Sequence, residues 1–100
     1  MRIVAMTVDL MDRSRLSAAL GDVEFARDAA GTAGADVVVV DLARDADAVA
    51  AVRAATPGAR IVAFGPHVDA DVLERARADG ADRALPRSRF FQDPAAALAP

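Results

Sequence analysis

The stretch that decides the fold is Ala35-Asp36-Val37-Val38-Val39-Val40-Asp41-Leu42 (ADVVVVDL), four valines running straight into a carboxylate. Valine's branched Cβ suits an extended, pleated backbone. A strand that is apolar at every position has two apolar faces, and both need cover, which is the signature of a central strand in a parallel sheet. Such a strand carries Asp41 to its C-terminal edge.

The same apolar, β-branched character recurs along the chain. Arg2 to Val8 (RIVAMTV) reads as a first strand and Asp22 to Ala26 (DVEFA) as a short second one. Val37 to Asp41 is the third, Ala59 to Gly65 (ARIVAFG) the fourth and Asp82 to Leu85 (DRAL) the fifth. Helical segments alternate with them. Asp9 or Asp12 caps DLMDRSRLSAAL, in which Leu16 and Leu20 share one face, and Gly21 stops it. Arg27 to Ala35 has room for only a turn or two of helix and is weakened by two glycines. Arg44 to Ala55 is anchored by Val49 and Val52 and ends at Pro57-Gly58. Asp69 to Gly80 carries an Asp71–Glu74 capping box and a C-terminal glycine, and Pro94 to Ala99 forms a last helix.

Five strands alternating with helices specify an α/β domain with a parallel sheet covered on both faces. Right-handed crossovers then lead to a flavodoxin-like, doubly wound (βα)5 three-layer sandwich with strand order 2-1-3-4-5. Residues 1–100 read as one domain. About a quarter of the chain is alanine and the aromatics are four Phe, so the core is built from Val, Leu, Ile and Ala.

Several function classes fall away on composition. With no cysteine there are no disulfides and no thiolate metal sites. The apolar runs are far shorter than a membrane span, and no cationic leader precedes one, so a cytoplasmic location is expected. A net charge of −3 gives no general drive toward nucleic acid or acidic membranes. All twelve basic residues are Arg, which reads as codon usage in a G+C-rich genome. There is no GxGxxG, no P-loop and no Ser-His-Asp arrangement, and one histidine without cysteine offers little to nucleophilic catalysis, so no enzyme activity is expected.

In a sheet of this topology the functional edge is the crevice where strand order reverses. The residues arriving there are Val8-Asp9, Asp41, Gly65-Pro66-His67 and Pro86-Arg87-Ser88. Asp41 is either a functional carboxylate or a partner of the following helix. His67 is either an anion or metal contact or an exposed loop residue. The segment LPRSRFF (Leu85 to Phe91) offers Arg87, Ser88 and Arg89 to a phosphate or carboxylate; the plainer reading is an ordinary loop with a buried Phe.

The stretches RIVAMTVD, ADVVVVDL, ARIVAFG and ADGADRAL together resemble the receiver domain of bacterial response regulators over nearly the whole chain. The resemblance implies phosphorelay signalling in two-component systems, with Asp41 as phosphoacceptor and Mg2+ held by Asp41 and Asp9. The matching positions depart from the family pattern in three places. Thr7-Val8 stand where the metal-binding acidic pair belongs, Phe64-Gly65 where the switch hydroxyl belongs, and Arg87-Ser88 where Lys-Pro belongs. Arg is not equivalent to Lys there, because its planar fork takes a carboxylate bidentately. An Asp41–Arg87 pair is therefore expected.

The expectation is a stand-alone, atypical receiver-like regulatory domain (a pseudo-receiver) without Mg2+-dependent aspartyl phosphorylation. It would act through a protein partner or a homodimer on the strand-4 to helix-5 face. The alternatives are a functional receiver phosphorylated on Asp41, with Asp9 assisting, and a small anion-binding module using His67, Arg87, Ser88 and Arg89.

Overall fold

The valine run lies at the centre of a five-stranded parallel sheet of order β2-β1-β3-β4-β5. The structure is a computed structural model that describes residues 1–66 and 69–100. The expectation placed on His67 falls outside the described residues. The strands are β1 (Ile3–Met6), β2 (Val23–Phe25), β3 (Val37–Asp41), β4 (Arg60–Gly65) and β5 (Arg83–Pro86). The helices are α1 (Leu10–Leu20), α2 (Ala48–Ala55), α3 (Ala70–Ala78), α4 (Arg87–Gln92) and α5 (Pro94–Leu98). A single 3-10 turn, Ala29–Thr32, joins β2 to β3. The fold class and strand order expected from the sequence are those observed.

Alternation along β3 divides the core in two. Val38 and Val40 pack with Val49 and Val52 of α2 and Leu73 and Ala76 of α3. Val37 and Val39 pack with Leu16 of α1, Phe90 of α4 and Ala97 and Leu98 of α5. Val38, Val39 and Val40 are fully buried and Val37 nearly so. Each buried valine contributes about 1.5 kcal/mol or more. The alanines let helices approach closely, as Ala76 and Ala84 do at 1% exposure each.

Local polar chemistry moves some element ends from their expected places. Asp45 accepts a hydrogen bond from the backbone N–H of Asp47 at 2.9 Å, and this turn occupies residues expected to be helical, so α2 starts at Ala48. The cap of α3 is Asp69, whose carboxylate accepts from Val72 N–H at 3.1 Å, not an Asp71–Glu74 box. Asp71 lies inside the first turn, and Glu74 sits within 3.7 Å of Arg77 on the exposed face. At the other end Gly80 takes φ +118°, a left-handed conformation that lets the chain leave α3 for β5. The last correction is α4. Residues expected to form a loop make a helix from Arg87, in which Phe90, three residues on, stacks on Phe64 and Phe91, four residues on, meets it edge to face.

Candidate functional site

The C-terminal edge of β3 places Asp41 level with Phe64 of β4, and β4 in turn pairs Phe64 with Leu85 and Gly65 with Pro86. On the other side Met6 pairs with Val40, so Thr7 follows beside Asp41. The topology thus brings Thr7, Asp41, Phe64 and Arg87 to one edge.

Asp41 is half-buried. One carboxylate oxygen accepts from Ala43 N–H at 3.0 Å, and the other lies 3.4 Å from the Thr7 hydroxyl, at the long end of hydrogen bonding. Burial pushes its carboxyl above the ordinary aspartate range, and the nearby charge of Asp12 adds to this. The Ala43 N–H, Arg87 and the Thr7 hydroxyl offset part of the rise.

Arg87 does form a bidentate pair, but with Asp12 and not with Asp41. One guanidinium nitrogen donates to Asp12 Oδ2 at 2.7 Å and another to Asp12 Oδ1. The expected Asp41–Arg87 pair is therefore replaced for a geometric reason. Arg87 opens α4 on the α1 side of the sheet, and the buried side of α1 presents Asp12 to its fork. Asp12 is 1% exposed, so a charged carboxylate there requires a partner of this kind. Arg87 also lies over the rings of Phe91 and Phe64, with centroid distances of 4.9 and 5.7 Å. The paired carboxylate holds the Arg87 guanidinium further above its ordinary value.

The remaining residues singled out from the sequence have other surroundings. Asp9 caps α1, accepting from Asp12 N–H at 2.9 Å, and its side of the edge is exposed. Ser88 and Arg89 are exposed on the first turn of α4. Arg13 ties α1 to the end of β1 by donating to the Thr7 carbonyl at 2.9 Å.

For a divalent cation the donor set is a poor match. Asp9 is engaged with a helix N-terminus, one oxygen of Asp41 with a backbone N–H, and both oxygens of Asp12 with a guanidinium. Among the described residues no three metal-ligating side chains gather.

Asp12 is the residue sequence reasoning underrated, as one of two alternative helix caps. Its signal was the spacing to Leu16: four residues apart in one helix, the two share a face, and Leu16 is fully buried.

No family model matches the chain, and neither does any curated protein. Solved structures do. A response regulator from Burkholderia pseudomallei, solved with a phosphorylated aspartic acid, a calcium ion and citrate, superposes with a TM-score of 0.78 at 22% identity. The likeness covers 98% of this chain and 66% of that one, so this chain spans about two thirds of its length. A response regulator receiver domain protein from Clostridium thermocellum gives 0.78 at 19% identity, over 97% of this chain and 90% of the other. A putative CpaE2 pilus assembly protein from Sinorhizobium meliloti gives 0.73 at 16%, over 98% and 97%. With the strand order, the placement of Asp41 and these likenesses together, the chain has the fold of response-regulator receiver domains.

Proposed function

We propose that this receiver-fold domain is an atypical regulatory module that acts through protein contacts and does not run the Mg2+-dependent aspartyl phosphorylation cycle. The observation that carries the reading is the buried Asp12 carboxylate held on both oxygens by Arg87. A carboxylate attacking a phosphoryl group needs a positive charge that neutralises both anionic partners, which a metal ordinarily supplies. Here the guanidinium that stands where the family's lysine belongs is committed to Asp12. Phe64, opposite Asp41, has no hydroxyl with which to report a phosphoryl group. The Arg87–Asp12 tie joins α4 to α1 and holds the edge in one arrangement. A surface running from the end of β4 to α4, with Ser88 and Arg89 exposed, is then the face for a partner or a second copy.

A second reading, phosphorylation of Asp41, is favoured by the position of that carboxylate and by the likeness to a response regulator carrying a phosphorylated aspartic acid. One experiment separates the two. The protein is incubated with acetyl phosphate, and separately with beryllofluoride, each with Mg2+, and followed by intact mass and amide chemical shifts. The first reading expects no added mass and no shifts at Thr7, Asp41 or Ala43. A phosphoryl adduct on Asp41 would overturn it.

A further inference from the structure

On the opposite flank of Asp41 from Arg87 lies a cleft of about 280 Å³ with a charge pattern that the regulatory reading does not use. It sits at the C-terminal ends of β1, β2 and β3, bounded by the start of α2. In the strand order β2-β1-β3-β4-β5 the direction of winding reverses between β1 and β3. Connections leave in opposite senses at that point, so a crevice opens there, and open α/β sheets bind ligands in it. In this chain the crevice stays open for a local reason. The β2–β3 connection forms one 3-10 turn, and that turn is fastened to the C-terminal end of α2 by a 3.0 Å contact between the Thr32 and Thr56 hydroxyls. Helices run back toward the N-terminal edge of a parallel sheet, so this anchor draws the turn away from the edge where Asp41 stands.

The lining pairs opposite charges across an apolar wall. Arg27 and Arg44 are exposed cations and form no ion pair among the described residues. Asp41 contributes a half-buried carboxylate, one oxygen of which has only the long Thr7 contact, and Asp45 an exposed one that accepts from Asp47 N–H at 2.9 Å. Met6 and Ala26, both partly buried, supply the apolar wall. A simple anion meets the two arginines but also the Asp41 carboxylate. A simple cation meets Asp41 but also two arginines. A molecule that carries both charges a few bonds apart satisfies both groups at once. The volume lies just under the range of drug-sized sites, about 300–1,000 Å³, which suits a ligand of roughly ten heavy atoms.

We propose that the cleft beside Asp41 binds a small zwitterion of the α-amino-acid type, its ammonium on Asp41, its carboxylate on Arg27 and Arg44, and a modest apolar side chain against Met6 and Ala26. This goes beyond the regulatory reading, and its chemistry does not require Asp41 to take or refuse a phosphoryl group. Binding there would join the ends of β2 and β3 to the start of α2, which gives a metabolite a route to the domain's surface loops.

The test is an amide chemical-shift titration of the whole chain with L-leucine, leucinamide, N-acetyl-leucine and inorganic phosphate. Leucinamide lacks the carboxylate and N-acetyl-leucine the ammonium, at nearly constant size. L-leucine is expected to give saturable shifts at Thr7, Arg27, Asp41 and Arg44, with each blocked derivative and phosphate at least tenfold weaker. Arg44→Ala should weaken leucine at least tenfold while leaving leucinamide no weaker, and Asp41→Asn should weaken leucine likewise while leaving N-acetyl-leucine no weaker, because each removes a charge that repels the blocked derivative. Both side chains reach the surface, so the variants are expected to fold, which their amide spectra report. No saturable shift with L-leucine, or N-acetyl-leucine or phosphate binding as well as L-leucine, would overturn the proposal. Phosphate alone saturating the site would identify an anion pocket instead.

Discussion

Arg87→Ala tests the central electrostatic claim, because it strands a carboxylate that is 1% exposed. Breaking a buried ion pair by removing one partner costs about 3–5 kcal/mol. The Arg87 side chain is 43% exposed, so water screens part of the interaction and moves the expectation to about 2–3 kcal/mol. That figure includes the cation–π contacts with Phe91 and Phe64, worth roughly 0.5 kcal/mol each at a partly exposed site. For a chain of this size, with a urea m-value near ~1.2 kcal/mol/M, the unfolding midpoint should fall by about 2 M. The assay is urea denaturation followed by circular dichroism on wild type, Arg87→Ala, Asp12→Ala and the double variant. The double variant should be less destabilised than the sum of the singles, with a coupling energy of at least ~1.5 kcal/mol. A single variant within about 0.5 kcal/mol of wild type, or a coupling below that figure, would refute the claim that the pair carries the edge.

Three further outcomes are expected. Asp82 accepts from Ile61 N–H at 2.8 Å and from Arg53 at 3.1 Å, so Asp82→Ala should cost about 1 kcal/mol at neutral pH. The Ile61 N–H, above all, holds the Asp82 carboxyl below its ordinary value, so its contribution is present above the unfolded-state pKa and lost as pH falls through the folded one. Urea melts of wild type and variant should therefore converge in acid. Asp41 has the opposite sign: its raised folded-state pKa means that stability declines as pH rises from the unfolded-state value through the folded one. Asp41→Asn should be more stable than wild type at pH 7, with the gap closing in acid; a variant less stable at pH 7 would contradict the burial argument. Phe90 is fully buried and stacks on Phe64 at 4.9 Å, so Phe90→Ala should cost about 3–5 kcal/mol, readable as a large drop in Tm, while Phe90→Leu keeps the fold.

The candidate site was legible only in part. Asp41 was placed at the sheet edge by four residues of its own strand, because strand period and parallel pairing are local consequences of β-branched, uninterrupted apolar sequence. Asp12 was not, since a carboxylate in the first turn of a helix reads equally as a cap, and only its spacing to Leu16 hinted at burial. Arg27 and Arg44 carried no motif at all. They meet because β2 and β3 end at one edge and the chain between them is held elsewhere by Thr32 and Thr56.

What the sequence by itself determined is the parallel α/β architecture, the strand order and the delivery of Asp41 to the crevice. All three follow from patterns repeated within segments of a few residues and from the handedness of the connections between them. What only the tertiary structure decided is which charges face one another. Arg87 selects Asp12, 75 residues away, over the expected Asp41. That choice depends on the packing of α4 against the sheet through Phe90 and Phe91. Ion pairing is decided by ångström-scale placement of side chains from distant segments, and no local pattern encodes it.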